Sequence, residues 1–413
     1  MPSPTQSTGV LSFDEACESV RSYCRPVLER PHQAEELPLL QSLGRVLAEA
    51  VVADRDFPPF ARATRDGYAV RSADLTKDGP TQLRIVGQVK AGDSYDLPVA
   101  PGEAVEIMTG AAVPQGADAV VMVEHTGRGD SEEQVEFQRA VFAGENIVPA
   151  GAEAKAGQEL LPRGTRMGPA QIAMAAAAGA ARLKVFARPR VAILSTGDEL
   201  VDVAENPGPS QIRNSNSYSL AALVIAAGGE PVQLPIAPDE ESKLTELVQQ
   251  GLKADLLLLS GGVSMGKFDL VEKVLSLLGA EFFFTGTMIQ PGKPVVFGSF
   301  GEKPFFGLPG NPVSVMVTFD LFARHVIDAL SGAEPLPMRS AQAKLKKDFK
   351  TKTGLTRFLP SLIRGELHQP EVEVIPWQGS GDMLAAARAN CYLVVPPDKE
   401  KLAKGEMVTV VLR

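Results

Sequence analysis

Residues able to hold charge gather at four points. Asp198 and Glu199 follow Thr196-Gly197 in STGDEL at 195–200, and Asp269 follows the glycine loop of DLLLLSGGVSMGKFD at 255–269. Lys293 sits between Gly292 and Pro294 in IQPGKPVVFG at 289–298, a stiff turn that presents one amine. GLPGNPVS at 307–314 writes a helix start twice, because Asn311 is a preferred N-cap and Pro312 a preferred first-turn residue. Pro312 has no N–H, so the donors expected to be free are those of Val313 and Ser314, with the Ser314 hydroxyl beside them. A fixed cation and a helix start suit a phosphate or another oxyanion. Carboxylates at the same place would repel that anion unless a divalent cation lay between them, and oxygen ligands at loop ends suit Mg²⁺. Each feature also has a plain structural alternative: Asp198 and Asp269 as caps, Asn311 as the cap of a structural helix, Lys293 as a surface lysine.

The elements that must position these residues are legible. Asp255 to Ser260 is an apolar run of buried-strand length, broken by Gly261-Gly262 and a polar loop containing Ser264, and Phe268 to Leu278 then spaces its apolar residues for a helix. Backbone N–H groups of Ser260, Gly261, Gly262 and Ser264 could approach an oxyanion there. STGDEL and GLPGNPVS, with Pro309 in its loop, are junctions of the same kind, so all three are expected on one sheet edge. From 187 to 331 strands such as VAILS, PVQLPIA, EFFFTGTM and PFFGL alternate with helices, among them SYSLAALVIAAGG, a segment capped by Asp239, and Pro312 to about Leu330. This pattern predicts a doubly wound, mainly parallel α/β sheet covered on both faces, which binds ligands at the carboxyl ends of its strands.

Around that domain the texture changes. Ser12-Phe13-Asp14-Glu15 reads as a capping box opening a helix to about Cys24 before Pro26, and Leu37 to Ala48 reads as a second helix. Residues 51–150 break into short β runs; within them Asp66-Gly67 looks like a turn, and Thr109-Gly110 ends a strand. Residues 151–186 return to helix-like sequence with AQIAMAAAAGA at 170–180. After SGAEPLPMRS come β runs with the loop GSGDM at 379–383, which carries Ser380. The predicted organisation is an α/β multidomain chain. An N-terminal helical/mixed domain comprises 10–50 plus 151–186, an inserted β-rich domain 51–150, the α/β domain 187–331, and a C-terminal small β domain 337–413.

Composition narrows the function. The chain has 413 residues, 41 Lys plus Arg against 50 Asp plus Glu, a net charge of −9 and no basic block, which argues against nucleic acid as partner. Neither a basic, apolar leader nor an apolar span of about 20 residues is present, so a cytoplasmic protein off the membrane is expected. Cys17, Cys24 and Cys391 lack metal spacing, and their odd number suits a reducing compartment; Cys17 and Cys24, seven apart, read as core. His32, His125, His325 and His368 show no ligand spacing, and no Ser-His-Asp or CxxC arrangement supports covalent hydrolase chemistry.

The ordered set DGYAV, IMTGAAVPQGADAVV, STGDEL, SGGVSMG, PGKP and GLPGNPVS, with GSGDML and GEMVTVVL near the end, resembles the MoeA family of molybdopterin molybdenumtransferases over residues 10–413. The resemblance implies four domains, an elongated homodimer, and insertion of molybdate into adenylylated molybdopterin with Mg²⁺ assisting and AMP released. A molybdopterin adenylyltransferase would act upstream. It also implies functional roles for Asp66, Thr109, Asp198, Glu199, Asp269, Lys293, Pro309, Pro312, Ser314 and Ser380. Asp66 and Thr109 of one subunit would face the 187–331 domain of the other. The chain departs from the family pattern at Arg65, at Glu153 in GAE and at Gln290 before PGKP. Two alternatives compete. An adenylyltransferase would resemble the 187–331 region alone, whereas a non-enzymatic dimeric scaffold would not need Asp66, Thr109 and Lys293.

Overall fold

The computed structural model describes residues 9–262, 270–366 and 368–413, so Ser264 and Asp269 lie outside the described residues. Two compact units divide the chain. The first comprises Met1–Glu36, Gly44–Ala48 and Lys184–Arg413, and the second Leu37–Leu43 and Glu49–Leu183.

The first unit is built on a six-stranded sheet, in spatial order Glu230–Gln233, Arg190–Ser195, Leu256–Ser260, Lys303–Leu308, Val296–Phe300 and Glu281–Phe284. The first four strands are parallel, Val296–Phe300 runs antiparallel to them, and Glu281–Phe284 runs antiparallel to Val296–Phe300. Strand periodicity sends alternate side chains to opposite faces. Val191, Ile193, Leu256, Leu258 and Phe306 therefore pack with Leu220 and Val224 of helix Ser215–Ala226 and with the long C-terminal helix of the domain. Ala192, Leu194, Leu257, Leu259 and Phe305 pack on the other face against helices Glu241–Gly251 and Leu270–Leu277. Because both faces are covered, the strands read as continuous apolar runs rather than alternating ones.

The helix expected from Pro312 is α-helical over Pro312–Thr318, widens to a π-turn over Phe319–Ala323, and resumes over Arg324–Leu330. The N-terminal helix, Phe13–Leu28, has the expected capping box: Ser12 N–H donates to Glu15 at 2.9 Å, and Glu15 N–H donates to Ser12 Oγ. It runs past Pro26, because proline near a helix end costs only one backbone bond in the last turn. Its buried face, including Cys17 and Cys24, joins the core of the α/β domain, whereas the sequence groups this segment with 151–186. All three cysteines are free and buried, and burial pushes the Cys17 and Cys24 thiols up to about 12.

Two local expectations fail. Leu37 to Ala48 forms no α-helix: a strand, Ala34–Pro38, leads into a single 3₁₀ turn, Leu39–Ser42, since Leu40 and Leu43 find no core and stay exposed. Asp239 is not the cap of the 241–251 helix, whose N-cap residue is Glu240 and lacks a side-chain bond to the backbone of the first turn.

The C-terminal strands close on themselves. Thr356–Arg364 pairs with both Glu371–Val374 and Cys391–Val395, giving a small barrel-like sheet that Ile289–Gln290 joins at Thr356 and Arg357. In the second unit a six-stranded sheet places Gly67–Val70 between Ala119–Met122 and Glu103–Ile107. No helix among the described residues is long and apolar enough to cross a membrane.

Candidate functional site

The three junctions end level. Ser195 pairs with Ser260, and Ser260 with Leu308, so STGDEL, SGG and GLPGNPVS leave the sheet side by side at its carboxyl edge. Thr196 N–H donates to Ser260 O at 3.0 Å and Gly261 N–H to Leu308 O at 3.3 Å, which extends the ladder one residue beyond the strands. The Gly261 N–H is therefore spent on the sheet and is no free anion donor. The glycine is needed for space: its φ is +93°, and a Cβ would stand 2.6 Å from Thr196 O.

Two side chains that the sequence reading passed over converge here. Asn216, at the start of helix Ser215–Ala226, donates from Nδ2 to Ser260 Oγ at 2.9 Å and to Gly310 O at 2.8 Å, tying the central strand to the GLPGNPVS loop. Its Oδ1 and the Thr196 hydroxyl are buried without a hydrogen-bond partner among the described residues. A buried polar atom left unpaired costs about 1–3 kcal/mol, so two of them at one edge mark a place where a polar ligand would restore bonding. Ser195, Asn214 and Ser217 form a buried hydroxyl–amide network that locks the strand end to the same helix. The signal in the sequence was RNSNS, two asparagines flanking a serine where a helix begins.

Asp198 and Glu199 are exposed at this edge. Asp198 Oδ1 accepts the Asp239 N–H at 3.1 Å, while the Glu199 carboxylate lies over Gly197, where a Cβ would come within 2.2 Å of Oε2. Among the described residues no cluster of three or more His, Cys, Asp or Glu side chains could hold a metal ion.

The helix start differs from expectation in an informative way. Asn311 occupies the N-cap position but makes no cap bond; its Nδ2 donates to Ser380 Oγ at 2.8 Å, and the Val313 N–H, expected free, donates to Ser380 O at 3.0 Å. The GSGDM loop of the C-terminal barrel thus clamps the first turn, bringing Ser380 to Asn311 and Pro312. Pro309 and Ser314 are buried. One turn further, Thr318 Oγ1 donates to Ser314 O at 2.8 Å, and the Thr318 methyl touches Gly292, where a Cβ would stand 2.4 Å away. The PGKP turn is therefore packed on the same helix as Ser314. Lys293 is half-buried, and its amine has no ion pair among the described residues.

In the second unit the Asp66-Gly67 and Thr109-Gly110 segments meet each other. Asp66 Oδ1 accepts the Thr109 N–H at 2.6 Å and the Thr109 hydroxyl at 2.7 Å, and these two bonds hold the Asp66 carboxyl below its ordinary range. Because the folded pKa is depressed, the bond's contribution to stability is present above the unfolded carboxylate range and is lost as pH falls through the lower folded value. An Asp66→Asn variant should therefore lose part of the wild-type protein's drop in thermal midpoint as pH falls below the ordinary aspartate value of about 4. An identical pH profile would show that the bond carries no linkage. Glu153 pairs with Arg62 at 3.1 Å, Arg65 is exposed, and Gln290 is exposed beside the barrel.

Comparison with known proteins covers almost the whole chain. Residues 11–179 match the MoeA N-terminal region (domain I and II), 192–329 a probable molybdopterin binding domain, and 342–412 the MoeA C-terminal region (domain IV). The molybdopterin molybdenumtransferase of Bacillus subtilis (strain 168) is 33% identical over 401 residues, 96% of this chain and 93% of that protein. The chain belongs to the MoeA family. The enzyme of the same name from Nostoc sp. is 36% identical over 93% of this chain and 90% of its own length. A solved MoeA structure, the molybdopterin biosynthesis moeA protein from Pyrococcus horikoshii OT3, superposes with a TM-score of 0.77 at 30% identity, covering 98% of this chain and 100% of that one. The matches at 11–179 and 342–412 take in the Asp66–Thr109 pair and Ser380, and the match at 192–329 takes in the sheet edge.

Proposed function

We propose that this chain inserts molybdate into the dithiolene of adenylylated molybdopterin and releases AMP. The observation that carries the reading is the carboxyl edge itself. Three level strand ends present two buried polar atoms unpaired among the described residues, two exposed carboxylates and a helix start clamped by Ser380, in a chain of the MoeA family. Phosphate and oxyanion groups would be held by Lys293 and the Ser314 turn, with Thr196 and Asn216 supplying bonds to the polar parts of the substrate. Asp198 and Glu199 are oxygen donors at a loop end, and Mg²⁺ is commonly held by one or two carboxylates plus substrate phosphates, so this pair fits such an ion, with Asp269 as a further candidate ligand. When bound, Mg²⁺ would neutralise the phosphoanhydride oxygens. The chain's own residues position molybdate near the two sulfurs; no protein nucleophile is required.

An adenylyltransferase reading is disfavoured because the matches at 11–179 and 342–412 extend well beyond the molybdopterin binding domain. A scaffold would not need the polar edge. We further infer a homodimer in which Asp66 and Thr109 of one subunit complete the edge of the other. Mixing Asp66→Asn and Glu199→Gln chains tests this: a shared site leaves each heterodimer one intact site and restores AMP release, up to about a quarter of wild-type activity for random pairing. If every site lies within one chain, all mixtures stay as inactive as the parents.

A further inference from the structure

The strands that end at the reaction edge begin at a second cavity. Arg190 and Lys303 open two of these strands, Asp255 directly precedes the third, and with Arg30, His32, Arg188 and Lys253 they line a hollow of about 490 Å³. A strand of this length spans about 17 Å, so the hollow is separate from the carboxyl edge. Its volume lies within the range of small-molecule sites.

Its charge is opposite to that of the chain. Five lining residues are Arg or Lys and two, Asp255 and Glu302, are acidic, a local excess of 5 − 2 = 3 positive charges, against −9 overall. Both acids are already engaged: Asp255 accepts the Arg190 N–H at 2.9 Å and Lys303 Nζ at 3.2 Å, and Glu302 faces Arg30 at 3.7 Å. The side chains of Arg188, Arg190 and Lys253 have no ion pair among the described residues. His32 adds an independent sign. Its ring is held edge-on to Phe186, and its Nε2 is buried with no hydrogen-bond partner among the described residues.

We propose that this amino-edge cavity binds a small anion carrying two linked phosphates, of which pyrophosphate is the minimal form and a nucleoside diphosphate the extended one. Unpaired cations around one concavity repel each other, and a compact polyanion relieves that repulsion. Arginine forks match phosphate oxygens, and the cations ring a hollow rather than forming the linear track an acidic peptide would follow.

Calorimetric titration of the full chain with pyrophosphate, with ADP and with an Asp/Glu-rich peptide tests the proposal. Pyrophosphate should bind with an affinity that falls as salt rises. An Arg188→Gln/Lys253→Gln double variant should bind it at least tenfold more weakly, while Lys243→Gln, an exposed lysine on helix Glu241–Gly251 that does not line the cavity, stays within twofold of wild type. Tighter binding of ADP than of pyrophosphate would support a nucleotide as ligand, and equal binding the free diphosphate. Both substituted side chains are exposed, so the fold should survive; should the double variant fail to fold, Lys253→Gln alone should weaken binding at least threefold. Absence of pyrophosphate binding, binding lost in Lys293→Ala but kept in the double variant, or binding of the acidic peptide alone would overturn the proposal.

Discussion

Glu199→Gln should slow AMP release from adenylylated molybdopterin by about 10²- to 10³-fold, the range seen when one charge-stabilising group is removed from an active site. Glutamine keeps the size of the side chain and removes only its charge. The Glu199 carboxylate is exposed and makes no hydrogen bond among the described residues, so neither folding nor thermal midpoint should change. The loss should fall on turnover more than on the apparent affinity for the nucleotide part of the substrate. A decrease of less than about threefold would mean that the carboxylate merely faces solvent and that the edge works without it.

The second large effect is on stability. Gly67→Ala should destabilise the inserted β-rich unit by about 3 kcal/mol or more, because overpacking inside a sheet cannot relax cheaply. Gly67 sits between two partner strands, opposite Ile107 and Met122, and a Cβ there would fall 1.8 Å from Val121 O. The neighbouring Asp66 would be displaced with it, so activity should fall even where the unit still folds. Gly127→Ala is the control, since a Cβ at Gly127 meets nothing closer than 3.7 Å and should cost within about 0.5 kcal/mol. The single tryptophan, Trp377, packs on the C-terminal barrel, so urea unfolding of the second unit has to be followed by far-ultraviolet circular dichroism rather than fluorescence. Equal midpoints for the two variants would mean the strands part without cost at Val121.

The Gly67 position also shows what the sequence alone could and could not convey. DG reads as a turn, yet Gly67 opens a central strand, and the reason for glycine there is a carbonyl 54 residues later in the chain, at Val121. Local signals served well where the cause is local. The Ser12 capping box, the apolar runs that build a sheet covered on both faces, the glycine breaks at its carboxyl edge and the helix from Pro312 are all written within a few neighbouring residues. Non-local partners were invisible. Asn311 has the chemistry of a cap, but Ser380 takes its side chain and the Val313 N–H; Asn216 and Thr196 matter because Ser260, Gly261 and Gly310 approach them across the sheet edge. Residues 37–48 carry a helical pattern that no packing partner rewards, and the strand and 3₁₀ turn win instead. Helix Phe13–Leu28 offers an apolar stripe that any core could bury, so its place beside Val326 and Phe322 could not be chosen from its own residues.

AMP release from adenylylated molybdopterin by the purified full-length chain, measured with molybdate and Mg²⁺ together, with each alone and with neither, tests the assignment of the sheet edge to molybdate insertion most directly. Release only when both ions are present, and its loss in Glu199→Gln, is the predicted result. No release under any condition from correctly folded protein, or release that ignores molybdate, would contradict it.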